Sequence, residues 1–214
     1  MKKKLAFLGA GSHADAIAPV IDPLVYDFVG FFDDKDITEH DGYPVLGKLY
    51  DVLPYLEDGS IDAVFITIGD NAKRKELFEY VAKDYYDFII NIISPNALVL
   101  TPDSICGRGI FIGFGAFIGS KVKLFDNNVV NTGALIEHHT VVESHCNIAP
   151  NATINGLCYI REEVYVGSAS VIIQTLDISS CTTIGAGAVV VKDIIEPGTY
   201  VGVPAKKNKI KDML

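Results

Sequence analysis

The sequence predicts two structures in series, an α/β Rossmann-like small domain over residues 1–96 and an all-β parallel β-helix over residues 97–214. Three observations carry this expectation. Apolar, strand-like runs alternate with helical segments through the first part. A glycine turn, GAG, follows the first of those runs. From about residue 97 the helical signal disappears, and an aliphatic side chain or Cys recurs at every sixth position.

Taken in order, KKLAFLG is an apolar strand, GSHADAIAPVID a first helix, YDFVGFFDD a second strand, DAVFITIGD a third, NAKRKELFEYVAKD a helix and YDFIINIIS a fourth strand. Strands separated by helices imply a parallel sheet with right-handed crossovers. The sixfold positions then run Leu100, Cys106, Ile112, Ile118, Leu124, Val130, Ile136, Val142, Ile148, Ile154, Ile160, Val166, Ile172, Ile178, Ile184 and Val190. Two residues before them small side chains are common, as at Ala116, Ala134, Cys146, Ala152, Cys158 and Ala188. A period of six is neither the 3.6 of a helix nor the 2 of a hairpin ladder. It suits a triangular coil of three short strands, with each sixth side chain dropped into a continuous interior column. After Val190, the segment IIEPGTYVGVPAKKNKIKDML is expected to leave the prism and lie along it.

The chain has 214 residues, a formal charge of −9 and 49% hydrophobic residues. That composition is globular, and it lacks the clustered Lys and Arg that phosphate-backbone binding needs, so no nucleic-acid partner is expected. The run after MKKK is too short for a signal peptide, no stretch reaches the roughly 20 apolar residues of a membrane span, and no membrane partner is expected. The four cysteines Cys106, Cys146, Cys158 and Cys181 lack C-x-x-C spacing and read as small buried residues in a reducing, cytoplasmic compartment.

The chemistry concentrates in NTGALIEHHTVVESHCNIAPN, residues 131–151. His138 stands two residues beyond the inward-pointing Ile136 and should project from a coil corner. Imidazole is the side chain whose ordinary titration falls near neutral, which suits a general base. A zinc site of His138, His139 and His145 is a weak rival, because adjacent strand residues point to opposite faces; no metal is expected. GAGSHA is close to the dinucleotide fingerprint G-x-G-x-x-A, with Asp33 some twenty residues on. With only about 95 residues before the prism, one nucleotide fits better than two. A glycine turn that merely joins strand to helix is the plain alternative. Asp70 and Asn71 open a helix and read as capping residues, and Arg74 reads either as a phosphate contact or as part of a solvated helix face.

GAGSHAD, FFDD, ITIGDNAKRK, NTGALIEHH, NIAP, TIGAGAVVVKD and YVGVPAKK together resemble the bacterial nucleotide-sugar acetyltransferases of the bacillosamine N-acetyltransferase group and the related sialic acid O-acetyltransferases. The resemblance implies a left-handed β-helix, a homotrimer, acetyl-CoA as co-substrate in the groove between two prisms, and an N-terminal domain that holds the nucleotide. By position, His138 is the base, Gly156 supplies the N–H facing the developing oxyanion, and Asn131 lies near the acceptor amine. Gly167, Ser168 and Ala186 match the coenzyme groove; Ser12, His13, Asp33, Asp34 and Gly69 match positions around nucleotide and sugar. In two places the chain departs from the family. His139 stands where a carboxylate usually follows the base, so that Glu137, Glu143 or another acidic residue would have to orient His138. Asn147 stands where a His is expected beside the thioester, with His145 two residues earlier.

The expected activity is N-acetylation of a nucleotide-linked amino sugar, in the first instance a UDP-4-amino-4,6-dideoxy sugar for a bacterial surface glycan. O-acetylation of a sialic-acid-like sugar is the rival reaction, and a non-catalytic trimeric sugar-nucleotide-binding protein is the rival class.

Overall fold

The computed structural model describes residues 1–208. The end of the basic C-terminal run, residues 209–214, lies outside the described residues. Two compact units are present, Met1–Ile92 and Ile93–Leu214.

The first unit contains β1 (Lys3–Leu8), α1 (Ser12–Ile17), β2 (Tyr26–Phe32), β3 (Glu39–His40), β4 (Tyr43–Gly47), α2 (Val52–Glu57), β5 (Ala63–Ile66) and α3 (Asn71–Tyr85). The sheet order is β3-β4-β2-β1-β5, parallel throughout except for the β3–β4 hairpin. β1 lies between β2 and β5, and Leu5–Leu8 are fully buried, which is why its sequence is continuously apolar rather than alternating. One face packs Ala6, Leu8, Val64 and Ile66 against Leu77, Phe78 and Val81 of α3. The rings of Phe7, Phe28, Phe31 and Phe65 cluster edge-on or tilted, Phe7 and Phe28 with centroids 4.8 Å apart.

Three sequence expectations change here. The first helix is only six residues, followed by a 3-10 turn Ala18–Val20, because Pro19 has no N–H to continue the α ladder. The segment 39–57, not read as regular, forms β3, β4 and α2 around an Asp41-Gly42 turn with φ of 47° and 79°. Asp-Gly is a strong hairpin signal, but the strands it joins are too short to announce themselves. YDFIINIIS is no full strand: Tyr86–Phe88 is a 3-10 turn, and only Ile89 bridges the sheet, to Val64.

The second unit is a triangular prism. Its first face carries Leu98–Val99, Phe117–Ile118, Leu135–Ile136, Thr153–Ile154, Val171–Ile172 and Val189–Val190. The second carries Lys123–Leu124, Val141–Val142, Tyr159–Ile160 and Asp177–Ile178. The third includes Phe111–Ile112, Val129–Val130, Asn147–Ile148, Tyr165–Val166 and Thr182–Ile184. Partners along a face are 18 residues apart, as in Leu135↔Thr153 and Val129↔Asn147, so three hexads close one coil. From Ile112 to Val190 the sixfold side chains form one interior column, almost all of them at zero exposure.

The column does not begin at Leu100 and Cys106 as the period suggests. Val99 pairs with Ile118 and Ile105 bridges Leu124, one residue earlier, so Leu100 is 50% exposed and Cys106 faces out. The extra residue is absorbed before Ile112, around Gly107–Gly109, and the hexad count slips there. Pairing to the prism also precedes the sequence's period, for Ser94 N–H already donates to Ile112 O at 2.8 Å. At the other end the chain does not leave the prism: Gly198–Val201 adds a parallel rung beside Thr182–Ile184, and Lys206–Lys207 folds back antiparallel on it. Of the cysteines, Cys146 and Cys158 are buried in the small-residue columns, whereas Cys106 and Cys181 are exposed.

Every sixth residue from Gly109 to Gly187 has a positive φ, between 54° and 70°. These corners include residues that disfavour the left-handed region, Leu157 and Thr175 among them. They are held by the ladder: from Asn127 on, each corner N–H donates to a carbonyl of the coil before, as His139 to Ser120 O at 3.0 Å and Leu157 to His138 O at 2.9 Å. The residue just before the corner has its carbonyl used in this way, and at Gly156, Ser168 and Ala186 no acceptor among the described residues takes the N–H.

Ile154→Ala, which opens a void in the column, should lower stability by about 2–5 kcal/mol, whereas Leu100→Ala should change it by less than about 0.5 kcal/mol. Chemical denaturation of the two variants side by side checks the register, and equal losses would contradict it.

Candidate functional site

In the first unit the C-terminal ends of β1, β2 and β5 come together, the usual place for a ligand in an open parallel sheet. Gly9 N–H donates to Phe32 O at 2.8 Å and Thr67 N–H to Leu8 O at 2.8 Å. Gly9 has φ +117°, and a Cβ there would lie 2.7 Å from Ile68 Cδ1, so both its backbone and its space demand glycine. The cleft is about 550 Å³, and its lining includes Ser12, His13, Asp33, Asp34 and Gly69, all five of the residues expected around nucleotide and sugar. Lys35, Leu49 and Thr67 line it as well and were not singled out from sequence. Thr67 is buried, its hydroxyl donating to Gly9 O at 2.6 Å, a role set by strand packing that no local motif advertises.

Asp33 is not a free acceptor for ribose. It is 7% exposed, and its two oxygens take the N–H groups of Ala10 at 2.6 Å and Lys35 at 2.8 Å. It therefore fixes the glycine loop to the end of β2, while the exposed Asp34, whose Oδ1 accepts Leu49 N–H at 3.1 Å, lines the cleft. Lys35 Nζ donates to Ala10 O at 2.9 Å, closing the loop from the other side. Asp70 caps α3 by accepting Lys73 N–H at 2.8 Å. Arg74 is neither a solvated nor an exposed residue: it is 1% exposed, with Nη1 turned toward Gly69 O at 3.4 Å. Burial, and then the charge of Arg74, lower His13 from 6.5 to about 4, so this ring is neutral near physiological pH.

In the prism the predicted residues fall on two different edges. His138 and Gly156, 18 residues apart, stack on the edge after the first face. The imidazole lies flat on Gly156: a Cβ there would be 2.6 Å from His138 Cε1 and 2.8 Å from Nε2. Gly156 N–H is one of the outward corner amides, and no acceptor among the described residues takes it. Glu137 Oε2 accepts the backbone N–H of His138 at 3.3 Å, whereas His138 Nδ1 meets His139 Nδ1 at 3.1 Å.

Asn131, Asn147, Gly167, Ser168 and Ala186 belong to the third face and the edge that follows it. Ser168 and Ala186 are again outward corner positions, and Gly167 lies against the backbone of Ile184 and Ala186. Asn147 is 7% exposed, and its Oδ1 has no hydrogen-bond partner among the described residues. Asn131 Oδ1 accepts Thr132 N–H at 3.1 Å. His145 is buried at another corner, with Nδ1 2.9 Å from Asn127 Nδ2, so His138, His139 and His145 do not converge. Among the described residues no His, Cys, Asp and Glu side chains gather as a metal site, and no helix is long and apolar enough to cross a membrane.

A family model, the PglD N-terminal domain, matches residues 4–81. The acetyltransferase domain of PglB from Neisseria gonorrhoeae, solved with acetyl coenzyme A, is 30% identical over 97% of this chain and 100% of that one, with a TM-score of 0.88. PerB from Caulobacter crescentus, solved with CoA and GDP-perosamine, is 27% identical over 96% and 97% of the two chains, with a TM-score of 0.85. A serine acetyltransferase of Buchnera aphidicola is 34% identical over 100 residues, and the match spans 42% of this chain but only 35% of that protein.

Two predictions follow from this geometry. Gly156→Ala should leave the fold intact, since no positive φ is needed there, but push the His138 ring away; kcat should fall at least about tenfold, approaching the loss of the base itself, and unchanged kcat would contradict the packing. Because His13 is neutral in the folded state and gains a proton on unfolding below pH 6.5, stability of the first unit should fall as pH drops from 6.5 towards about 4. The slope is at most about 1.4 kcal/mol per pH unit. Hydrogen exchange of the β1 amides should show that slope in the wild type and a flatter one in His13→Gln.

Proposed function

The chain belongs to the bacterial nucleotide-sugar acetyltransferase family of hexapeptide-repeat acyltransferases that carry a PglD-type N-terminal domain, and from that premise we propose that it transfers the acetyl group of acetyl-CoA to the amine of a nucleotide-linked amino sugar. The observation that carries the reading is the pairing of His138 with Gly156, a proton acceptor packed on a glycine whose N–H is unclaimed.

His138 Nε2 takes a proton from the acceptor amine as its nitrogen attacks the thioester carbonyl. The Gly156 N–H donates to the oxygen as negative charge develops on it, a fixed dipole that needs no reorganisation at the moment of reaction. The C–N bond forms, the C–S bond breaks, and the proton passes on to the departing thiolate. No acyl-enzyme is required.

The outward corner amides of Ser168 and Ala186, with Gly167 and Asn147, are suited to the amide groups and thioester of the coenzyme, as polar donors on a narrow ridge. They lie on a different prism edge from His138. Within one chain, residues share an edge only when their numbers differ by multiples of 18, and 138 and 168 do not. A groove that combines both sets therefore needs two copies of the prism, which supports a homotrimer with three equivalent grooves.

In the first unit, Ser12, His13, Asp34 and Gly69 are proposed to receive the nucleotide-sugar, with Asp33 holding the loop. A UDP-4-amino-4,6-dideoxy sugar of a surface-glycan route is the preferred substrate, acted on in the cytoplasm. A GDP-linked sugar is the competing carrier, since PerB was solved with one.

Incubation with acetyl-CoA and a panel of UDP-, dTDP- and GDP-linked amino sugars, followed by thiol release, tests the reading. Turnover on an amino sugar should fall about 10²- to 10⁴-fold in His138→Ala. Activity confined to sialic acids would point to O-acetylation, absence of thiol release with every acceptor to a binding protein, and wild-type turnover of the variant would end the role of His138.

A further inference from the structure

A neutral imidazole carries one N–H and one lone pair. His138 Nδ1 and His139 Nδ1 lie 3.1 Å apart with their rings edge to face, at 87° and 5.2 Å between centroids. Two lone pairs do not face each other at that distance, so one of the two nitrogens bears the proton. If His139 donates, His138 carries its own hydrogen on Nε2 and cannot accept a proton there. If His138 donates, its Nε2 presents a lone pair, and His139 is left as the tautomer protonated on Nε2.

We infer that His139 is the positioning residue of the site: as a neutral acceptor it takes the Nδ1–H of His138 and so keeps the Nε2 lone pair of His138 ready for the substrate proton. This rests on reading His138 as the base. During transfer, the proton from the amine forms the Nε2–H bond, and the resulting imidazolium keeps donating from Nδ1 to His139. The cation is thus held by a charge-assisted hydrogen bond instead of by a carboxylate. When the proton leaves for the coenzyme sulfur, the pair returns to its starting arrangement.

The backbone fixes this geometry. His139 has φ +61°, one of the left-handed corners, with its N–H held by Ser120 O at 3.0 Å, so its ring is turned back over its neighbour rather than outward as on a regular strand. Other titratable groups around the edge are few. Lys121 occupies the equivalent corner of the coil before, Glu137 is engaged with the backbone N–H of His138 at 3.3 Å, and on the coil after it the Cys158 thiol turns inward to Ile173 O at 3.1 Å.

Two variants isolate the role. His139→Leu removes the acceptor but suits the backbone, because Leu157 holds the same corner one coil on with φ +65°. His139→Asp keeps an acceptor and is also at home at positive φ. In protein labelled with ¹⁵N-histidine, two-bond proton–nitrogen spectra at neutral pH should show His138 protonated on Nδ1 in the wild type and shifted toward Nε2–H in His139→Leu. With a substrate that turns over, His139→Leu should lower kcat by about ten- to a hundredfold with both KM values unchanged. The acid limb of its pH profile should move to lower pH, and His139→Asp should restore kcat. An Nε2–H tautomer of His138 in the wild type, or a His139→Leu enzyme with wild-type kcat and pH profile, would overturn the inference. Failure of every acceptor sugar would instead defeat the proposed activity, and the spectra would still decide the tautomer.

Discussion

The prism depends on one constraint, the backbone ladder that ties each coil to the next. At each corner from Asn127 to Gly187 the residue in the left-handed conformation donates its N–H to the coil before, and the strand residues pair along each face. This ladder is what makes the left-handed corners tolerable for Leu157, Thr175 and His139, whose isolated preference is otherwise, at a cost of about 1–2 kcal/mol each. Once the ladder is fixed, the amide just before each corner is the one backbone donor left facing outward. The prism edges thereby present pre-corner amides spaced one coil apart, and those of Gly156, Ser168 and Ala186 have no acceptor among the described residues.

Function uses that row selectively. At some corners a side chain caps the amide, as Glu143 Oε2 does for Glu162 N–H at 3.1 Å and Asn131 Oδ1 for Thr132 N–H at 3.1 Å. At Gly156, Ser168 and Ala186 nothing does. Gly156 has a second property: the His138 ring lies against it, where a Cβ would occupy the space of the ring. The His138 ring and the Gly156 N–H, proposed as proton acceptor and oxyanion donor, are therefore placed by one glycine in one hydrogen-bond ladder.

The N-terminal unit solves a different problem by the same economy. Its cleft is made of strand ends, and the charged groups nearest the loop are largely engaged: Asp33 by two backbone amides, Lys35 by Ala10 O, and Lys48 by the carbonyls of Asp34 and Lys35 at 3.0 and 3.1 Å. A rigid, preorganised cleft results, with His13 held neutral by burial and by Arg74.

The sequence by itself determined the prism. A sixfold aliphatic beat has no competing explanation, since burying every sixth side chain requires a three-sided coil, and it set His138 at a corner two residues beyond Ile136; Gly156, Ser168 and Ala186 were singled out by the family resemblance, not by the period. Ser12, His13, Asp33, Asp34 and Gly69, named by the resemblance, line one cleft because strand-turn-helix patterns put turns at the same end of a parallel sheet. What the sequence did not contain was anything dependent on distance between segments: the one-residue slip that exposes Leu100 and Cys106, the short hairpin at Asp41-Gly42, the engagement of Asp33, the burial of Arg74 and the role of Thr67. The contact of His138 with His139 belongs to that second group. On a regular strand, neighbouring side chains point to opposite faces, and only a left-handed corner, held by a hydrogen bond to another coil, turns the two rings together.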